Sequence, residues 1–532
     1  MHKQHKVTDY LLLSLFGIFL FIPFLGLSPL FDWDEINFAE AAREMIMSGD
    51  YARVQINFRP FWEKPPLFIW MQAASMHLFG INEFAARLPN AICGIITLNL
   101  MYFFGVQIKS RSFGWFWALL IAGSVLPHFY FQSGIIDPWF NLFIWLSILF
   151  GYMGLTQNKS LILNFSLAGF SLGLAVLVKG PVAFIIAALS FGIFVLFNKP
   201  KRQHIIPILY GILLFIVTAS SWFIVDMLQH GTWFTFTFID YQIRLFKTED
   251  AGHGGPFFYH FLVVLLGCFP ASFFALGLLR KKVEVSAKSF TILSVITVLV
   301  VLVLFSIVKT KIVHYSSMTY LPLCGLGALY LESKSYNKRA IFLIIGAFLI
   351  LLSCTLISLP FIGMHPSFLS VFLSNDPFAM QALDAQVFWS YYDFIPGILM
   401  FVLSVFYILR MNKSESRFMY IFLAANAILL SVAIIIFTPK IEKYSQGAFI
   451  EFCKKQGKSG IIDVYGFKSY AHYFYGSREM QNSPLNYNEA MDSTWEKPVY
   501  VVSKYRRKGA LPDDGRLMEL YRKNGYVFYK KK

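Results

Sequence analysis

Residues 10–35 read YLLLSLFGIFLFIPFLGLSPLFDWDE, and this stretch decides the fold. Tyr10–Pro29 is about 20 residues of mostly apolar sequence, the length that crosses a bilayer core as a helix. Met1–Lys6 ahead of it is short and basic, and Asp32, Asp34 and Glu35 follow it. A basic start, an apolar run of that length and an acidic exit predict a helix that stays in the membrane. Its N-terminus is expected in the cytoplasm, without cleavage. Carboxylates placed where the chain leaves lipid are costly to desolvate, so their clustering marks chemistry or ion binding at the lipid–water boundary.

The rest of the chain repeats the pattern. Of 532 residues, 57% are hydrophobic and 14% charged, and aromatic residues make up 18%, which excludes a soluble globular protein. Apolar runs broken by basic turns predict a polytopic α-helical membrane protein with about thirteen transmembrane helices. They lie near 10–29, 86–107, 113–131, 135–155, 161–178, 181–197, 204–225, 256–279, 288–308, 315–332, 339–359, 389–409 and 418–437. Counting from a cytoplasmic start, the loops at 109–112, 157–160, 198–203, 280–288, 332–339 and 410–417 face the cytoplasm. Each holds Lys or Arg, whereas the outer segment 360–388 holds neither, as positive-inside loops require.

Three outer segments are long: 30–85, 226–255 and 360–388. The first carries helix-like stretches at Glu40–Met47 and Leu67–Phe79, expected to lie in the interface plane. The composition divides the chain into a membrane domain, 1–439, and a polar extracytoplasmic α/β domain, 440–532. In the latter, Ile441–Gln456 reads as a helix, and 460–465, 498–503 and 526–530 as strands. That small domain supplies half of the net charge of +16, which suits anionic headgroups and membrane lipids rather than nucleic acid. The five cysteines show no metal-ligand spacing and read as packing residues.

Several outer residues could carry chemistry. Asp34 and Glu35 suit a general base or an acceptor-orienting carboxylate, or the N-terminal acids of a helix. In Glu63-Lys64-Pro65-Pro66 the prolines hold the lysine extended at the membrane face. There it is a point charge for a lipid phosphate, or the partner of its neighbour. Asp137-Pro138 opens the fourth span, as an N-cap or as a functional acid. Arg244 could bind phosphate, and His253, among glycines, could be a metal ligand or a plain loop residue. Lys309 and Lys311 break the positive-inside trend, and an anionic ligand explains them most simply; Lys179 in V-K-G-P raises the same question. No P-loop, G-x-G-x-x-G or nucleophile elbow is present, which argues against a nucleotide-driven pump.

The segments at 34–50, F-x-E-K-P-P at 61–66 and G-x-x-E-F-A-A-R-L-P at 80–89 together resemble the bacterial aminoarabinose transferase family. That family falls within the wider group that includes protein O-mannosyltransferases. The resemblance implies a C-type glycosyltransferase fold and a sugar taken from a polyprenyl-phosphate carrier at the outer face of the bacterial inner membrane. The acceptor would be lipid A-like, another lipid, a glycan or a protein. It further implies that Asp34 is the catalytic carboxylate and that Glu63 sits at a metal or acceptor contact. Lys64 would meet the carrier phosphate, Asp137 would be a second acid in the cavity, and Tyr315 would lie near that phosphate. Two positions depart from the pattern. Asn37 stands where the family often has Arg, and Asp240–Phe246 lacks the family's His.

The expected reaction is a single displacement at the anomeric carbon. Lys64, Arg244, Lys309 and Lys311 would neutralise the leaving phosphate, and no redox or nucleotide cofactor would be required. A divalent metal would fall to Glu63 and His253. A transporter or flippase of lipid-linked sugars is the alternative from another class, although such proteins hold key charges nearer the midplane.

Overall fold

The computed structural model describes residues 2–32, 34–157, 160–248, 254–278, 287–333, 339–410, 416–505 and 514–532. Among the described residues, eight helices are long and apolar enough to cross a membrane, or up to ten if each of two bent pairs is one span. The chain is a multi-pass membrane protein. Helix occupies each of the thirteen apolar segments, but not always as one straight span. Val7–Phe21 and Val182–Phe197 are short, and the segment near 315–332 is a 3₁₀ turn, Val313–Thr319, followed by Tyr320–Glu332.

The bent pairs have a physical cause. Arg111–Ala122 and Val125–Phe131 meet at 74°, and Tyr259–Gly267 and Ala271–Leu278 at 107°. Pro270 occupies the second break, where it has no N–H to continue a helix. The two breaks satisfy one another, because the Val125 N–H donates to the Phe269 carbonyl at 3.1 Å. Backbone groups freed inside a membrane protein need such partners. Elsewhere, Leu161–Lys179 and Ile205–His230 cross closely because Gly169 faces Gly211. A Cβ on Gly169 would lie 1.8 Å from the Gly211 carbonyl oxygen.

The first long segment forms helix Asp34–Ser48, a hairpin of strands β1 (Gln55–Ile56) and β2 (Arg59–Pro60), and helix Leu67–Phe79. The hairpin turns through Asn57 and Phe58, with φ of 58° and 54°. The Glu44 carboxylate accepts their N–H groups at 2.6 and 2.7 Å, holding an uncomfortable backbone in place. Residues Glu35–Met45 are buried, since the C-terminal region covers them.

That region contains a four-stranded sheet in the order β3-β4-β6-β5 (Ile461–Tyr465, Val499–Lys504, Tyr526–Lys531 and Leu517–Lys523). β3 and β4 are parallel, and the other pairs are antiparallel. Ile36, Ala39, Ala42 and Met45 share one core with Phe449, Phe452, Tyr526 and Phe528. The compositional boundary at 440 therefore falls inside continuous structure. Helix Ser416–Glu442 runs through a π-helical turn, Lys443–Gly447, into Ala448–Gln456.

Candidate active site

Three helix ends and two turns converge on one cavity of about 780 Å³. Asp34 begins helix Asp34–Ser48, and Asp137 begins Asp137–Gln157. Each acid thus sits at the N-terminal end of a helix. Lys179 ends Leu161–Lys179, where the dipole favours a cation, and Gly180 with φ of 98° turns the chain away. The Lys179 Nζ donates to Asp137 Oδ1 at 2.6 Å, and the Asp137 side chain is only 2% exposed. The Asp34 side chain is 40% exposed, so of the two acids it is the one open to an incoming molecule.

His314 stands between them. Its Nε2 lies 3.5 Å from Asp34 Oδ2 and 4.0 Å from Asp137 Oδ2. Burial lowers the His314 pKa, with the two carboxylates pulling the other way. Lys64 reaches the cavity from its Pro-Pro anchor, and its Nζ lies 5.7 Å from the centre of the Tyr241 ring. Burial also lowers the Lys64 pKa, with Glu63 opposing that shift.

An apolar groove of about 380 Å³ adjoins the cavity and is lined by Val182, Ile185, Ile239, Ile243, Leu304 and Phe305. Lys64, Lys179 and Tyr315 line both spaces. The Lys179 Nζ also lies 5.2 Å from the centre of the Tyr315 ring, a cation–π distance. Two cations therefore stand where a polar chamber meets a greasy channel. The arrangement suits an amphiphile with an anionic head and a long apolar tail.

Glu35 lines the cavity as a carboxylate already tied into the fold. It is 1% exposed and gripped by Arg87, whose Nε and Nη2 donate at 3.0 and 2.8 Å. The Phe31 N–H donates to it at 2.8 Å, and the Gly134 N–H completes its shell. A carboxylate so saturated has no lone pair left for a substrate. Lys311 is likewise structural. Its Nζ donates to the carbonyls of Phe305, Ser306 and Val308 at 3.0, 2.7 and 2.5 Å, capping helix Lys288–Ile307. Lys309 is exposed and lines neither space. Arg244 is exposed too, with its guanidinium 5.2 Å from the Tyr241 ring centre, and it lines neither space. Glu63 lines the cavity, while His253 lies outside the described residues. Among the described residues no three His, Cys, Asp or Glu side chains come together as a metal centre would need.

Lining residues that had no place in the sequence reading include His314, Lys468 and Tyr470. His314 stands three residues beyond Lys311, and a search for misplaced positive charge picks the lysines and passes over a neutral imidazole. Lys468 and Tyr470 belong to the C-terminal region, which composition alone set apart.

A family model of dolichyl-phosphate-mannose-protein mannosyltransferases matches residues 63–224. An uncharacterized protein of Aquifex aeolicus is 30% identical over 351 residues, spanning 65% of this chain and 77% of that one. The chain belongs to this family. An undecaprenyl phosphate-alpha-4-amino-4-deoxy-L-arabinose arabinosyl transferase of Shewanella sediminis is 27% identical over 376 residues, 68% of each chain. The crystal structure of ArnT from Cupriavidus metallidurans bound to undecaprenyl phosphate aligns with a TM-score of 0.77 at 16% identity. That alignment covers 99% of this chain and 97% of the other, and it establishes the C-type glycosyltransferase fold for the family member described here.

Proposed function

We propose that this protein is a membrane glycosyltransferase that moves a sugar from a polyprenyl-phosphate carrier to a lipid-type acceptor. The observation that carries the reading is the junction of cavity and groove, where Lys64, Lys179 and Tyr315 line both. The isoprenoid tail lies in the groove, the carrier phosphate meets Lys64 and Lys179, and the sugar projects toward Asp34. The Shewanella relative is named for the same carrier class.

In the reaction an acceptor oxygen attacks the anomeric carbon. The bond from that carbon to the carrier phosphate oxygen breaks, and the phosphate departs with the electron pair. Lys64 and Lys179 offset its charge inside a site with little water. Asp34 takes the proton of a hydroxyl acceptor, or orients a phosphate acceptor that has none to give. Asp137, pinned by Lys179, holds His314 and the sugar in register. The displacement requires no redox or nucleotide cofactor.

The chemistry takes place at the outer face of a bacterial inner membrane, with thirteen spans and residues 440–532 outside the cytoplasm. The alternating basic loops support this orientation. A flippase fits less well, because Asp137 and Lys179 sit at the first and last residues of their helices rather than at mid-span.

Two measurements test the reading. Purified protein supplied with a synthetic polyprenyl-phosphate sugar should transfer the sugar to envelope lipid extract, and lipid mass spectrometry should lose one glycosylated species when the gene is deleted. Carrier-linked sugar crossing vesicles without transfer would sink the proposal. A reporter fused at Gly460 should give no cytoplasmic signal.

A further inference from the structure

We infer that Gln446 and Tyr475 of the C-terminal region are positioning residues that hold Asp34 in its reactive place through the backbone of Leu30. The inference rests on the reading of Asp34 given above. The chain between the first span and Asp34 is held from two sides. On one side is the membrane domain. The Arg87 Nη1 donates to the Leu25 and Ser28 carbonyls, and its Nη2 to the Pro29 carbonyl, each at 2.8 Å. On the other is the C-terminal region. The Leu30 N–H donates to the Tyr475 hydroxyl oxygen at 2.7 Å, and Gln446 Nε2 donates to the Leu30 carbonyl at 2.6 Å. Asp32 Oδ1 further accepts the Tyr470 N–H at 3.1 Å.

Both polar groups of one peptide residue are thus met by side chains more than 400 positions away in sequence. Gln446 and Tyr475 are themselves buried, so neither is a surface decoration. Gln446 is carried by the π-helical turn Lys443–Gly447, a distortion that natural helices keep mainly at functional sites. The extra residue of that turn sets the facing of the Gln446 side chain relative to the last span. The C-terminal region is therefore a working part of the active site. It fixes the strand that delivers Asp34, while the donor contacts Lys64 and Lys179 come from other segments. A loosened Leu30 should blur the attack geometry and leave carrier binding alone.

The test uses the full chain purified in detergent, with kcat and KM for the donor measured separately from undecaprenyl phosphate binding. Gln446→Met keeps the length and loses the donor, and Tyr475→Phe loses the acceptor. Each should lower kcat by about tenfold, the scale of a modest loss of alignment, with donor KM and carrier binding unchanged. Tyr444→Phe, in the same π turn but bonded to Trp389, is the control and should keep wild-type kcat. Folded Gln446→Met and Tyr475→Phe proteins with wild-type kcat would overturn the inference. So would losses of carrier binding that parallel the losses of kcat, since these report general disorder. An inactive wild-type protein that binds no carrier would instead sink the glycosyltransferase reading itself.

Discussion

Two helices end beside the cavity in similar chemistry and do different things. Leu161–Lys179 ends in a lysine whose ammonium reaches sideways to Asp137. Lys288–Ile307 is followed by Lys311, whose ammonium folds back onto three carbonyls of its own helix end. Both cations satisfy a helix dipole. Lys179 completes a site, because its partner is a carboxylate in a cavity; Lys311 completes a helix, because its donors are spent on backbone. A misplaced positive charge is therefore evidence of function only once its donors have been traced.

The sharpest way to break this contrast is at the acid the site leaves open. Asp34→Asn should lower transfer by about 10²–10⁴-fold, the usual weight of a general base or charged orienter. Asn starts a helix nearly as well as Asp, so thermal unfolding in detergent should hardly move. Near-normal transfer would return Asp34 to a capping role.

Lys179→Met comes next. It strips the partner from a carboxylate that is 2% exposed, and breaking such a pair costs about 3–5 kcal/mol. The protein should unfold at lower temperature and lose carrier binding. Adding Asp137→Asn should restore much of the stability and none of the binding. Recovery of both would make the pair purely architectural.

Adjacent residues show how far the sequence could be read. Asp34 and Glu35 look equivalent in D-W-D-E and both line the cavity, yet one is open and the other is locked to Arg87. The Arg87 signal was present in F-A-A-R-L-P, but nothing local says which acid a residue 52 positions on will choose. The apolar segments were legible because length and hydropathy determine membrane crossing directly. The bends at residues 122–125 and 267–271 were not, because they rest on two breaks bonding to each other. Strand β5 escaped because its residues are mostly exposed and carry no buried alternation. The shared core of Asp34–Ser48 with Phe449 and Phe528 escaped because composition reports on solvent and lipid, not on which surfaces meet.

Lys64 sharpens the contrast through pH. Lys64→Ala should weaken use of the carrier-linked donor by about 1.5–3 kcal/mol, one charge-assisted contact. Burial lowers the Lys64 pKa, so its folded-state ammonium loses its proton at a lower pH than an ordinary lysine. Carrier affinity should accordingly be full at lower pH and fall as pH rises through that lowered value. Lys64→Arg stays charged throughout and should flatten the alkaline fall. An alkaline limb that persists in Lys64→Arg would assign it to another group.

The smallest expected effect belongs to Lys311, and it closes the comparison from the other side. Lys311→Met keeps the aliphatic stem that packs beside helix Lys288–Ile307 and removes the three donors. The carbonyls of Phe305, Ser306 and Val308 then lose a charged cap at a helix end, worth about 1–2 kcal/mol in a partly buried setting. The melting temperature should drop by a few degrees, a shift of the size such losses produce. Donor KM and kcat should stay at wild-type values, because the ammonium faces its own backbone and lines neither the cavity nor the groove. A raised donor KM in Lys311→Met with an unchanged melting temperature would reverse the assignment. It would mean that the ammonium leaves its carbonyls when the carrier arrives, and that both helix ends serve the leaving phosphate.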